Sequence, residues 1–218
     1  MGQKVNPNIF RLAKTKTGKT WKSSWFADSK TYSKLILEDE KIRNYIEKKC
    51  YFAGVVNIGI KRFSKRINIE LLVARPGLVI GRGGKELDSM KTDLSRMLSS
   101  VSQNKNIDIQ VEEFKNPDMS AKLIAEKLAY QLQKRMPYRR AVISAMEKAM
   151  AGGALGIKIV LAGRINGAEI SRREKFAQGK VSLSTIKANL DYYETPSATR
   201  SGYIGIKVYL NLPDVITT

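Results

Sequence analysis

Hydrophobic residues recur at two periods along the chain, and the changes of period mark its elements. Between residues 30 and 50, Tyr32, Leu35, Ile36, Ile42, Tyr45 and Ile46 are spaced by threes and fours, which predicts an amphipathic helix. The period then drops to two. Val56, Ile58 and Ile60 alternate with Asn57, Gly59 and Lys61, and Ile67, Ile69, Leu71 and Val73 alternate with Asn68, Glu70 and Leu72. Phe63-Ser64-Lys65-Arg66 turns between the two runs, so they predict a β-hairpin. Arg75-Pro76-Gly77 stops the second strand, Leu78-Val79-Ile80 is a short apolar piece, and Gly81-Arg82-Gly83-Gly84 breaks it. Leu87, Met90, Leu94, Met97 or Leu98, and Val101 predict the next helix. Ile107, Ile109 and Val111 predict a third strand.

Asn116-Pro117-Asp118 marks a boundary, with Asp118 as the expected cap of a helix. On that helix Ile124, Leu128, Leu132 and Met136 share a face with Ala121, Ala125 and Ala129. Pro137 ends it. A second helix, from about 139 to 151, presents Ala141, Val142, Ala145, Met146 and Ala149, and Gly152-Gly153 closes it. Strands are expected at 156–162, about 168–176, 185–193 and 203–212. This half is therefore α+β, two helices followed by a mostly antiparallel sheet. At the other end, residues 1–16 have little periodicity and read as an irregular basic arm, expected to be mobile until RNA or a protein orders it. Trp21, Trp25 and Phe26 follow. Large aromatics either anchor such a segment to a core or stack on bases, and the anchor is preferred.

Composition narrows the function classes. The 218 residues suit one large domain or two small ones, and 43% hydrophobic content supports a folded core. No apolar run reaches the ~18–20 residues of a membrane span, because Lys158 interrupts the best candidate, 149–163. The N-terminus lacks the apolar segment of a signal peptide. A single Cys and no His remove a disulfide framework, Cys-based zinc sites and the usual general base. Adjacent Glu112 and Glu113 would point to opposite faces of a strand, Glu38-Asp39-Glu40 reads as a solvated helix face, and Cys50 as a semi-buried apolar residue. No active site, cofactor or metal is expected. Lys and Arg number 39 against 20 Asp and Glu, a formal charge of +19, and residues 1–30 carry seven Lys or Arg against Asp28 alone. Such a surplus repels itself unless a polyanion neutralises it, nucleic acid before an acidic membrane.

The strongest local signal is Val79-Ile80-Gly81-Arg82-Gly83-Gly84-Lys85, between two helices and after a hairpin. Glycines let the backbone pass close to another chain, and amide groups at a helix start can face phosphate oxygens. This is the physics of a KH-type loop, which clamps a short single strand; Gly81, Arg82, Gly83, Gly84 and Lys85 are its candidate contacts. An isolated G-x-x-G is usually a tight turn, and the element order around this one is what raises it. Nucleotide P-loop readings fail: Val79 stands where Gly84-Lys85 needs its first glycine, and Ala13 where Gly18-Lys19-Thr20 needs one. Gly163-Arg164-Ile165-Asn166-Gly167 joins two strands and is a hairpin-type loop.

Four motifs in order make a specific resemblance. Met1-Gly2-Gln3-Lys4-Val5-Asn6-Pro7, Ala74-Arg75-Pro76-Gly77-Leu78-Val79-Ile80-Gly81, Gly163-Arg164-Ile165-Asn166-Gly167-Ala168-Glu169-Ile170 and Gly202-Tyr203-Ile204-Gly205-Ile206-Lys207-Val208 are similar to the bacterial-type family of ribosomal protein three of the small subunit. The similarity spans nearly the whole chain. It implies an α+β protein with a type II KH domain (helix, hairpin, helix–GxxG–helix, strand) followed by a second α+β domain. Boundaries follow at 1–16 for the arm, 17–115 for the KH domain, 116–212 for the second domain and 213–218 for a short tail. The family implies a non-catalytic place in the head of the small subunit, where messenger RNA enters, with 16S-type ribosomal RNA, messenger RNA and neighbouring head proteins as partners. It implies bacterial cytoplasm, with an organellar ribosome as the alternative. By the resemblance, Arg139 and Arg140 match paired arginines directed at entering messenger RNA, although Ile143 and Ser144 stand where the family often has further basic residues. Lys4, Arg11, Lys14 and Lys16 of the arm, with Arg164, Arg172, Arg173 and Lys175, are the expected ribosomal RNA contacts. For the last four, a plain charged sheet face is the equal alternative. A free RNA-binding regulator on a KH scaffold is the other non-enzymatic reading.

Overall fold

A computed structural model describes residues 4–12, 21–98 and 106–213. In chain order its elements are α1 (Pro7–Arg11), β1 (Ser23–Ser24), α2 (Ser29–Lys49), β2 (Val55–Arg62), β3 (Arg66–Val73), α3 (Pro76–Ile80), α4 (Lys85–Met97) and β4 (Asn106–Glu113). After these come α5 (Ala121–Gln133), α6 (Tyr138–Ala151), β5 (Gly156–Gly163), β6 (Arg172–Gly179), β7 (Leu190–Thr199) and β8 (Gly202–Asn211). The chain divides into two units after Lys115. Residues 21–115 form one, and the described residues 4–12 belong with 116–213.

In the unit of residues 21–115 the alternation at 55–73 folds as an antiparallel pair, β2 and β3. β4 adds to β3 in parallel, Ile67 opposite Ile107 and Ile69 opposite Ile109, giving the sheet order β1-β2-β3-β4. A parallel neighbour needs a crossover, which α3 and α4 supply. Ile42 and Ile46 of α2, Val79 of α3, and Met90 and Leu94 of α4 close on Ile58, Ile60, Ile67, Ile69 and Leu71. Each such burial contributes about 1.5–3 kcal/mol. This order of helix, hairpin, helix, glycine loop, helix and strand is the expected KH arrangement, and the whole chain is α+β.

The α2 face departs from its sequence reading. Tyr32 and Ile36 stay exposed, while Glu38 and Asp39, expected on a solvated face, are buried. Arg62 at the end of β2 is the reason: its Nη1 lies 2.8 Å from Glu38 Oε2 and its Nη2 2.6 Å from Asp39 Oδ1. Asp39 Oδ2 also accepts from Ser23 Oγ and from Trp25 Nε1, both at 2.9 Å. A helix pattern that counts only apolar residues misses two carboxylates that share one guanidinium inside. Of the three aromatics expected to anchor, Trp25 alone does so; Trp21 and Phe26 are 79% and 93% exposed.

In the other unit, β6-β5-β8-β7 is antiparallel throughout. One face packs under α5 and α6, where Ile124, Leu128, Val142 and Ala149 meet Ile157, Ile159, Leu161, Ile206 and Val208. β6 and β7 begin four to five residues later than the sequence predicts, because the residues before them are held in turns. Arg164 Nε donates to Ala168 O at 2.8 Å ahead of β6, and Arg11 holds carbonyls of 182–185 ahead of β7. Asp118 does not cap α5. Ser120 takes the cap position, and the Ala121 N–H is satisfied by Asp191 Oδ2 at 2.9 Å, a partner 70 residues away. Met136 lies beyond the end of α5 and is exposed.

The arm corrects its reading most. Residues 7–11 are helical, with Pro7 at the first position and the Asn6 side chain accepting from Asn8 N at 2.9 Å. Asn before Pro is a helix-start signal that the missing periodicity concealed. Asn8 Nδ2 donates to Tyr192 O at 2.9 Å, and Arg11 is 3% exposed. The Arg11 guanidinium donates to Leu183 O at 2.7 Å, Thr185 O at 2.9 Å and Pro7 O at 3.2 Å. It points into its own unit, so the expectation that Arg11 grips RNA does not hold. Lys14, Lys16 and the Gly18-Lys19-Thr20 segment lie outside the described residues.

Candidate nucleic-acid interface

The glycine loop is built by the end of one helix and the start of the next. α3 stops where Gly81 turns to φ 71°, and a Cβ there would lie 2.6 Å from Glu86 Cγ. Gly81 is thus demanded by local packing. Gly83 and Gly84 also have positive φ, 63° and 79°, but nothing lies within 4 Å of where their Cβ atoms would be. Their backbone is open on that side, which is what close passage of another chain requires. No side chain caps α4 at Gly84, so its first amide groups remain available to an acceptor from outside. Arg82 and Lys85 are exposed beside them. Glu86 and Asp88 in the first turn offset part of that charge.

The second unit has a sheet face opposite the one that packs under α5 and α6, and strand register decides which residues share it. Val160 stands opposite Lys175 on one side and Lys207 on the other; Ala162 faces Arg173, and Lys158 faces Tyr209. Residues directly opposite point to the same side. Lys158, Arg173, Lys175 and Lys207 therefore line one face together with Tyr209 and with Glu194, whose Oε2 lies 3.2 Å from Lys207 Nζ. Burial first, and then the positive charges of Lys4, Lys175 and Arg173, lower the Lys158 ammonium below the usual lysine range. Lys158 lies 6.0 Å from the Tyr209 ring centre, and the Tyr209 and Tyr192 rings are 4.8 Å apart. Cations that press on one another along one face are suited to a polyanion.

The four residues grouped by sequence are separated by this geometry. Arg173 and Lys175 lie on the open face. Arg172, one step along, lies on the other side, 3.1 Å from Glu174 Oε1. Arg164 sits in the β5–β6 turn, where it binds Ala168 O and, at 3.4 Å, Ser201 O. Lys158 and Lys207 were missed because each follows an apolar run as its outward member, and alternation alone does not say which outward residues meet across strands.

Arg139 and Arg140 occupy the first turn of α6 and are exposed. Arg139 Nε donates to Tyr138 Oη at 3.1 Å, and Tyr138 donates on to Glu174 Oε1 at 3.1 Å. Arg140 has no bonded partner among the described residues. No acid occupies this first turn. Among the described residues there is no group of three or more His, Cys, Asp or Glu placed to hold a metal. No described helix is long and apolar enough to cross a membrane.

Comparison with known proteins matches two family models, a KH domain over residues 41–119 and the ribosomal protein S3 C-terminal domain over residues 128–210. The chain is 45% identical to the small ribosomal subunit protein uS3 of Protochlamydia amoebophila, over 96% of this chain and 94% of that one. It is 43% identical to the uS3 of Lactobacillus johnsonii, over 99% and 93%. It is 42% identical to the uS3 of Methylacidiphilum infernorum, over 100% and 99%. A likeness of that depth through both units, with a KH glycine loop in one and the S3-type sheet in the other, means that the chain belongs to the ribosomal protein S3 family.

Proposed function

We propose that this protein is a non-catalytic constituent of a small ribosomal subunit, working in the cytoplasm on a bacterial-type ribosome. It binds 16S-type ribosomal RNA in the subunit head through the glycine loop and the open basic sheet face. Arg139 and Arg140 face messenger RNA where it enters, and neighbouring head proteins pack around it. The observation that carries this reading is the near end-to-end likeness to relatives named as small ribosomal subunit proteins. Two surfaces support it as fit for phosphates, Gly81–Lys85 and the face with Lys158, Arg173 and Lys175, where Lys207 is paired with Glu194.

The arginine pair has its own support. Cations at a helix N-terminus oppose the helix dipole, at a cost of about 0.3–1 kcal/mol each. Two arginines in the first turn of α6 without an acid are thus unfavourable for the isolated helix, and a phosphate chain would reverse the sign. A guanidinium has no acceptor for the first N–H groups, so neither arginine caps α6, and a solvated helix start is the plain alternative.

The test is binding to small-subunit particles depleted of this protein, read by co-sedimentation at high salt. The parent should bind. Gly83→Asp with Gly84→Asp puts two carboxylates where phosphates approach, at positions with open space, and should weaken single-strand RNA affinity while the fold survives. The positive φ at each site costs about 1 kcal/mol for a residue with a Cβ. Intact folding with unchanged RNA affinity would reduce the loop to scaffold; failure of the parent to co-sediment would overturn the ribosomal role.

A further inference from the structure

The S3-type unit holds a cavity of about 290 Å³ at the end of the sheet where the α5–α6, β5–β6 and β7–β8 turns meet. Its floor is apolar, with Leu132, Leu161, Ile165 and Ile204 all buried. Its rim carries Arg135, Arg164 and Arg200, and no carboxylate lines it. Arg164 is committed to tying two turns together through Ala168 O and Ser201 O. Arg135 and Arg200 are exposed and have no ion pair among the described residues. An apolar floor rejects a phosphate and accepts a flat ring. Unpaired guanidiniums at the rim reject a cation and accept the phosphates on either side of that ring.

The backbone singles out the same place. Arg135 and Asn166 are the two non-glycine residues with positive φ among the described residues, at 59° and 60°, and both line this cavity. Arg135 ends α5: its N–H reaches Leu132 O at 3.0 Å, and Met136 N–H reaches Gln131 O at 3.1 Å. That pair of bonds places Arg135 at the left-handed position of a helix-ending motif where glycine is the usual residue. An arginine there is strained, and the strain is retained at the rim of a cavity.

We propose that this cavity takes one unstacked base of a single-stranded RNA, with the flanking phosphates held by Arg135 and Arg200. This adds a site to the RNA-binding reading and rests on it. Stacking or burial of a single base against protein is worth about fivefold or more in affinity. A side chain from a protein neighbour is the competing occupant, and an RNA series with neither cavity crosslinks nor an abasic effect would leave the cavity to it.

The experiment uses the full chain and a short single-stranded RNA carrying 4-thiouridine for photocrosslinking, with a parallel series in which one abasic residue is stepped along the strand. Crosslinks should map to the turns around residues 135, 166 and 200, and one abasic position should weaken binding about fivefold or more. Arg135→Gly with Arg200→Ser should weaken the intact strand and abolish that abasic effect. Arg135→Gly alone should melt no lower than the parent, because glycine relieves the positive φ, so lost affinity is not lost folding. Crosslinks confined to residues 81–85 and the open sheet face, or unchanged affinity in the double variant, would overturn the cavity site while leaving the RNA-binding reading standing. If the parent binds no RNA, that reading fails first.

Discussion

Replacing Arg11 by Met separates an RNA ligand from a structural bolt. The side chain is 3% exposed, and a single nitrogen, Nη2, donates to Leu183 O at 2.7 Å and Thr185 O at 2.9 Å. Methionine fills a similar volume and donates nothing. Hydrogen bonds from charged groups are worth about 1.5–3 kcal/mol net, and a buried acceptor left unpaired costs about 1–3 kcal/mol. Loosening of the segment around 182–185 would let water reach those carbonyls, so we take about 1–2 kcal/mol for each of the two short bonds. The variant should then lose about 2–4 kcal/mol of stability in the S3-type unit. For a unit of roughly 100 residues that lowers the unfolding midpoint by about 8 °C or more. Calorimetry on the full chain gives the midpoint, and hydrogen exchange should show new opening at residues 7–11 and 182–185. The salt dependence of RNA binding should not change. An unchanged midpoint, together with a salt slope flattened by about 0.7, the value for one phosphate on a single strand, would refute the bolt and restore Arg11 as an RNA contact.

Arg139→Ala with Arg140→Ala should flatten the salt slope of messenger binding by about 1.4, two phosphates at about 0.7 each, and slow translation through a stable hairpin more than through an unstructured message; equal slowing on both would remove messenger contact as their role. Arg62→Met should cost the unit of residues 21–115 about 3–5 kcal/mol in urea unfolding, since Glu38 and Asp39 are left buried with no guanidinium between them. Adding Glu38→Gln and Asp39→Asn should recover most of that loss, and no recovery would mean packing rather than charge is at stake. Burial, and then the hydrogen bond to Glu194, raise the Tyr192 phenol above the ordinary tyrosine range. A raised value stabilises the fold below about pH 10, and that contribution is lost as pH climbs toward the folded value. An alkaline absorbance titration should show a late-ionising phenol that Tyr192→Phe removes.

The elements with a clean period were legible from sequence because local pattern and burial coincide in them. The β2–β3 hairpin, α4, α5, α6 and β8 each bury one uninterrupted apolar face. The glycine loop was legible for a related reason: positive φ and a close approach leave glycine as the residue that fits at Gly81. The net charge of +19 likewise required no fold to point to a polyanion.

What the tertiary structure decided is whatever depends on residues far apart in the chain. Whether a cation faces solvent or a carbonyl is not a property of its neighbours in sequence. Arg11 and Lys4 look alike in a basic arm, yet Arg11 meets the carbonyls of 182–185, more than 170 residues away, while Lys4 adds its charge to Lys158. Arg172 and Arg173 are adjacent, yet a strand sends one toward Glu174 and the other to the open face beside Lys175. Glu38 and Asp39 read as solvent-facing until Arg62 of β2 pairs with both of them inside. Period sorts apolar from polar, but only register, which pairs residues across strands, sorts charges into those that hold the fold together and those left free to meet another molecule.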